Sequence, residues 1–315
     1  MRIAVVILNW NTAFYLERFV PGLLESLPQD AALVVADSGS TDGSLELLAE
    51  RFPSVRTIPL GGNFGFTGGY DRAIGTLLSE PDAPEYFVLI NSDIDVPGGW
   101  LCPLIEYMDS HPECAACGPK LHALRQGTER GEWVRSERFE YAGAAGGKLT
   151  VHGYPYCRGR FLFWTARDRG QFDRGPAAVK WVTGACLCVR SSVWNEIGGL
   201  DDRFFAHMEE IDWCWRARRS GYSVVVVPSS TVYHIGGGTL PQNSPFKLKL
   251  NFRNSLLMLS KNLPSEIGCR RARIRIRTRI ILDNLIMFAY LITARWPEAR
   301  AVRDAHAEYR KLIDK

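Results

Sequence analysis

The feature that most constrains this chain is a rhythm in its first 95 residues. An apolar run stops on a polar residue, a turn follows, and a helical pattern begins. "RIAVVILNW" is short, continuous and β-branched, as a strand buried on both faces should be. "TAFYLERFVPGLLESL" then spaces its apolar residues helically. "AALVVADSGSTDGSLELLAERF" repeats the scheme, and "SVRTIPL", the glycine loop "GGNFGFTGG" and "YDRAIGTLLS" repeat it again. "YFVLINSD" opens a fourth round. Strands alternating with helices imply βαβ units and an α/β fold around a mostly parallel sheet. Such sheets bind ligands beyond the carboxyl ends of their strands. Asn9, Asn11, Asp37, Asn63, Asp93 and Asp95 all fall there, so the pattern predicts one shared site.

From about residue 121 to 178 the rhythm weakens into a stretch rich in Gly, Arg and aromatics. It is expected to form a long surface excursion over the site, with short strands. "AVKWVTGACLCVRSSVWNEIGGLDDRFF" returns to strand then helix, "AHMEEIDWCWRARRSGY" reads as a helix, and "SVVVVPSSTVYHIGGGT" as a strand with a polar end. From about 244 the chain reads as helical. The net charge of +4 on 315 residues is too mild to imply nucleic acid. The eight cysteines include the pairs Cys114/Cys117 and Cys186/Cys188 but no second pair at zinc spacing. They are expected as reduced, packed hydrophobes in a cytoplasmic protein. No secretory leader and no apolar run of about 18 residues is visible, so neither export nor a spanning helix is expected.

Three groups carry chemistry. Asn91, Asp93 and Asp95 would share one face if their strand persisted, because residues i and i+2 point the same way. Clustered carboxylates suit a hard divalent cation such as Mg²⁺ or Mn²⁺; a solvated turn with Asp95 capping the next helix is the plainer alternative. Glu209, Glu210 and Asp212 open a helix, where the dipole favours acids. Partly buried, such a cluster would also raise one carboxyl's pKa and suit it to general-base work. His234 ends a strand beside glycines, a setting for a structural histidine or a ligand. The loop "LGGNFGFTGG" is neither a Walker loop nor a G-x-G-x-x-G, so no ATPase or dinucleotide oxidoreductase is supported.

Five segments recur in order here: "VVILNWN", "VVADSGSTDGS", "NFGFTGGYDRAI", "LINSDIDVPGGWL", and "WVTGACLCVRSSVWNEIGGLDDRFFAHMEEIDWCWRARRSGY" followed by "VYHIGGGT". Together they make the chain resemble the inverting glycosyltransferases of family two, most closely the bacterial rhamnosyltransferase-like branch, from Arg2 to about Leu263. The resemblance implies the nucleotide-diphospho-sugar transferase (GT-A type) fold, a mixed sheet with flanking helices. It also implies a dTDP- or UDP-sugar donor, and a saccharide or polyisoprenoid-linked acceptor in cell-surface glycan synthesis. Asn9, Asn11 and Asp37 would hold the nucleoside, and Asn63, Gly65 and Phe66 would line its pocket. Asp93 would bind Mg²⁺ or Mn²⁺, with His234 as a further metal or diphosphate ligand. Asn91 stands where the family has a first acid, and Asp95 falls just beyond. Thr183, Gly184 and Ala185 would border the acceptor. Glu210 stands where the family's base is Asp, with Glu209 as its rival. Trp181 and Trp213 would either stack on sugars or fill the core. A nucleotidyltransferase would place a basic glycine-rich loop where "NWNTAFYL" stands; an inactive glycan- or lipid-binding relative would lack the acids.

The expected division is a catalytic domain at 1–243, with its donor half to about 120 and its acceptor half after it, and a helical extension at 244–315. Six arginines lie from Arg270 to Arg279, followed by "LIMFAYLITA". Residues 269–296 are expected either to touch anionic lipid at the cytoplasmic face of the inner membrane or to pack on the domain or a second subunit, as in a homodimer. No nucleic-acid-binding motif accompanies the charge.

Overall fold

The structure, a computed structural model, describes residues 1–128, 132–162, 164–236 and 244–313. The chain begins β1 (Ile3–Asn9), α1 (Ala13–Ser26), β2 (Ala31–Asp37), α2 (Ser44–Arg51), β3 (Arg56–Pro59), α3 (Gly65–Leu78), β4 (Tyr86–Ile90), β5 (Ile94–Asp95) and α4 (Cys102–Ser110). Next come β6 (Cys114–Gln126), β7 (Trp133–Phe139), β8 (Gly147–Leu149), β9 (Pro155–Cys157), β10 (Arg160–Phe161), β11 (Trp164–Thr165) and β12 (Ala177–Ala178). The chain continues through β13 (Cys186–Arg190), α5 (Ser191–Ile197), a 3₁₀ turn (Asp202–Phe204), α6 (Glu209–Arg219) and β14 (Ser223–His234). It ends in α7 (Pro245–Ile267), α8 (Cys269–Ile292) and α9 (Trp296–Ile313).

The main sheet has the order β12-β14-β6-β13-β4-β1-β2-β3, with β5 on β14 and β7 on β6. β3, β2, β1 and β4 are parallel, β13 runs against both β4 and β6, and β14 is parallel to β6. The fold is thus α/β with a mixed sheet whose long strands mostly share one direction. Their carboxyl ends meet at one edge, and the amino end of the reversed strand β13 joins them. The β-branched runs fit because both faces are covered. Ala4 and Val6 of β1 join a core with Tyr70 and Ile74 of α3 and Trp213 of α6. Ile3, Val5 and Ile7 join another with Leu16, Val20 and Leu23 of α1 and Leu104 of α4.

The excursion after β6 does hold short strands: β7 extends the sheet, and β8–β9 and β10–β11 form two small hairpins. Residues 129–131 and 163 lie outside the described residues, as do 237–243, which include two of the three glycines after His234 and the expected domain boundary. Trp181 and Trp213 are both buried; Trp213 stacks on Trp194, and Trp181 donates to the Lys148 carbonyl at 3.0 Å. Among the described residues all eight cysteines are free thiols, six of them buried. The C-terminal helices pack on the sheet domain: Leu256, Leu257 and Met258 of α7 and Tyr309 of α9 enter the first core. Arg279 of α8 turns inward to pair with Asp283 at 2.8 Å and to reach the His152 carbonyl.

Candidate active site

The carboxyl ends of β1 and β2 are shaped by side chains that bond to turns. Asn9 and Asp37 are register partners on neighbouring parallel strands. Asn9 Nδ2 donates to Asp37 Oδ2 at 2.6 Å, and the amides of Gly39 and Ser40 donate to Asp37 Oδ1 at 3.0 and 2.9 Å. The carboxylate is therefore buried yet aimed. Asn11, in a left-handed conformation, accepts the Thr41 amide at 2.7 Å and ties the β1–α1 turn to the one after β2. Asn63 accepts the Gly65 amide at 2.9 Å. Gly65 has φ +71, and a Cβ there would lie 2.5 Å from the Phe205 carbonyl, so the backbones meet only because no side chain intervenes. Phe66 seals the contact, its amide donating to the same carbonyl at 2.7 Å.

β4 stops at Ile90, and Asn91–Asp93 form a turn before β5. β5 belongs to a different pairing: Ile94 lies opposite His234 on β14. That pairing brings His234 beside Asp93. His234 Nε2 is 3.2 Å from Asp93 Oδ1 and 3.3 Å from Asn91 Nδ2; its Nδ1 has no hydrogen bond and lies 3.8 Å from Glu140 Oε1. Burial by itself would lower the His234 pKa, but the Asp93 carboxylate, its hydrogen bond and Glu140 outweigh burial and lift it to about 9. Lys247, nearby on α7, is pushed down by burial against the pull of Glu140 and Asp93. Asp95 departs from this group. It forms a two-pronged ion pair with Arg135 at 2.6 and 3.1 Å, so the shared face holds only if the strand persists, and it does not.

The donor set suits a divalent cation. A buried carboxylate and a buried imidazole with one unbonded nitrogen meet at the strand edge. No group of three His, Cys, Asp or Glu among the described residues is arranged to hold a metal unaided. Mg²⁺ is ordinarily held by one or two carboxylates with phosphate oxygens completing its shell, which matches a site finished by a diphosphate.

The acid end begins with an unusual loop. Phe205, His207 and Met208 all have positive φ, a conformation that needs outside support in non-glycine residues. Glu209 is buried, and burial plus Glu210 pushes its carboxyl far above the carboxylate range. Glu210 is partly exposed. Burial lifts its carboxyl to about 7, opposed by backbone amides that include Gly184's. Each glutamate keeps a buried Oε2 without a hydrogen-bond partner. Asp212 accepts from Arg216, Lys261 and Asn262 at 2.9, 2.7 and 2.7 Å, so it is a bracing group.

Thr183–Ala185 links the two ends. The Ala185 carbonyl accepts the Asn91 amide at 3.0 Å. A Cβ on Gly184 would lie 3.0 Å from Phe66 Cζ and 3.7 Å from Glu210 Cβ. The reversed direction of β13 is what delivers this stretch to the edge. Glu140 and Lys247 escaped the sequence reading. Glu140 sits in "FEYAGAAGG", where one acid among small residues is the sole signal, and Lys247 in a helical pattern gives none.

A strand edge carrying these groups, in a mixed sheet with α3 and α6 beside it, defines the class: a GT-A type glycosyltransferase fold. Among solved structures, GalNAc-T7 with UDP, GalNAc and Mn²⁺ superposes with a TM-score of 0.62 at 15% identity, over 82% of this chain and 48% of that one. A mannosyltransferase from Pyrobaculum calidifontis with GDP-Man and Mn²⁺ gives 0.56 at 13% identity, over 100% of this chain and 88% of that one. At such identities the likeness is one of fold alone. Residues 4–164, just over half the chain, match Glycosyl transferase family 2, and the chain belongs to that family of glycosyltransferases. The N-acetylglucosaminyl-diphospho-decaprenol L-rhamnosyltransferase of Mycobacterium tuberculosis is 29% identical over 236 residues, 73% of this chain and 75% of that protein.

Proposed function

We propose that this glycosyltransferase moves L-rhamnose or a similar sugar from a dTDP- or UDP-sugar to a saccharide carried on a polyisoprenoid diphosphate, with inversion, in cell-surface glycan synthesis. The observation that carries this reading is Glu210: a carboxyl lifted to about 7, set against Gly184 on the edge where Asn91, Asp93 and His234 converge. A base works best with a pKa near the working pH. The mycobacterial relative, named for rhamnosyl transfer to a decaprenyl-linked N-acetylglucosamine, supports the sugar and the acceptor class.

Asp37, with Asn9 and Asn11 around it, binds the nucleoside, and Asn63, Gly65 and Phe66 line its pocket. Thr183, Gly184 and Ala185 border the acceptor. The Glu210 carboxylate takes the proton of an acceptor hydroxyl as that oxygen bonds to the anomeric carbon. The bond from that carbon to the diphosphate breaks, and its electron pair leaves with the nucleoside diphosphate. Attack from the opposite face inverts the centre. Asp93 and His234 would hold Mg²⁺ or Mn²⁺, which when bound neutralises the leaving diphosphate. Residues 1–243 form the catalytic unit in this reading, and 244–315 brace it at the cytoplasmic face of the inner membrane. No helix among the described residues is long and apolar enough to cross a membrane.

The test incubates dTDP-, UDP- and GDP-sugars with the protein, with and without Mn²⁺, and follows thermal shift and released nucleoside diphosphate. A shift and slow Mn²⁺-stimulated release with a dTDP- or UDP-sugar is expected. No shift with any nucleotide sugar overturns the donor site. Binding without turnover, even with lipid-linked acceptor present, marks an inactive relative.

A further inference from the structure

The solvent side of α8 has no role in the chemistry above. Ile274, Ile281, Leu285, Phe288 and Ile292 are 58, 60, 61, 60 and 70% exposed, and Trp296 at the head of α9 is 62% exposed. Steps of seven, four, three and four residues put the first five on one stripe of the helix. The exposed arginines Arg270, Arg271, Arg273 and Arg277 surround Ile274. The face is therefore sorted along its length, with charge over its first turns and apolar side chains beyond. Arg279, on the buried side, is the member of the run that pairs with a carboxylate of its own helix.

We infer that this face docks the enzyme on an anionic bilayer. Apolar side chains of such a helix sink to the headgroup–acyl boundary, while arginines keep their charged heads among lipid phosphates. Charge complementarity selects lipid over a second copy of the chain. The one acid of α8 is Asp283, buried on the opposite face, so a copy laid on the stripe sets arginines against arginines or against the apolar end. The docking deepens the proposal of a polyisoprenoid-linked acceptor and rests on it for its purpose, since it would hold the site at the surface where that acceptor is presented.

Flotation of the full chain with vesicles of phosphatidylcholine alone, and of phosphatidylcholine with phosphatidylglycerol, tests this. Binding to the anionic vesicles alone, weakened by salt, is expected. Arg270→Glu with Arg273→Glu and Arg277→Glu should lower partitioning on the order of 100-fold, at about fivefold per arginine lost or more. Leu285→Asp with Phe288→Asp should abolish it. Donor hydrolysis should be unchanged in both variants, so failure of docking and failure of the transferase reading are told apart. Wild-type protein that does not float, or variants that float as well as wild type, overturns the inference. So does a stripe variant that turns a dimer into a monomer while vesicle binding stays unchanged, which makes the face a contact between copies.

Discussion

Asn254 of α7 donates from Nδ2 to the carbonyl of His207 at 2.7 Å, two residues before Glu209. The same nitrogen lies 2.9 and 2.8 Å from the carbonyls of Phe204 and Ala206, and Arg253 also reaches Phe204 at 2.7 Å. One buried amide thus holds the left-handed loop whose Phe205 carbonyl clasps the amides of Phe66 and Thr67 and whose end leads into the acid pair. The C-terminal extension is part of the site's support.

Asn254→Ala leaves the Ala206 and His207 carbonyls without this donor, at a cost of about 1–3 kcal/mol. The expected result is a lower Tm and a kcat reduced more than the donor KM is raised. Asn254→Asp should be worse, because a carboxylate has no N–H to give. Circular-dichroism melts beside steady-state kinetics check both; an unchanged Tm in Asn254→Ala would mean the loop holds itself.

The proposed base, Glu210, predicts a pH dependence of activity. In that role its carboxylate is the working form and its pKa is about 7, so kcat should rise through neutrality and level off above it. Glu210→Gln should lose that limb and on the order of 10²–10⁴-fold in rate. Glu209→Gln should keep the limb. The reverse pattern in a pH–rate profile transfers the base to Glu209.

The same shift acts on stability with a definite sign. The folded carboxyl binds its proton more tightly than the unfolded one, so the contribution is full below pH 4.5 and lost as pH rises to about 7. Above that pH the ionised, half-buried carboxylate costs up to roughly 3 kcal/mol. Glu210→Gln should therefore melt higher than wild type at pH 8, with the gap closing toward pH 4.5. Melting curves across that range decide it.

Gly65→Ala should damage the proposed donor site directly. The backbone is at φ +71, and the new methyl would lie 2.5 Å from the Phe205 carbonyl. A loss of about 2 kcal/mol or more, with weaker nucleotide-sugar binding by calorimetry, is expected.

Asp93 and Asp95 should separate cleanly. Asp93→Asn should remove Mn²⁺ stimulation of donor hydrolysis. Asp95→Asn breaks a partly exposed pair with Arg135 and should cost about 1 kcal/mol or less while keeping that stimulation. A titration of hydrolysis against Mn²⁺ for both variants would expose a wrong ordering of the two acids.

Local pattern carried much of this protein. The β-branched runs, the polar residues ending them and the glutamate pair heading an apolar helix specify elements within short windows. From those follow the parallel units, the edge where sheets of this kind bind ligands, and most of the groups gathered there. What the tertiary structure decided depends on contacts between distant segments. The reversal of β13 carries Thr183–Ala185 to the edge, and β5 crosses to β14, parting Asp95 from Asp93 though they are two residues apart. Glu140, Lys247 and Asn254 join the site from outside every motif. One arginine of a uniform run turns inward because Asp283 and the His152 carbonyl await it. Such partners leave no local periodicity, since a hydrogen bond or ion pair across a hundred residues asks only for the right atom at the right place.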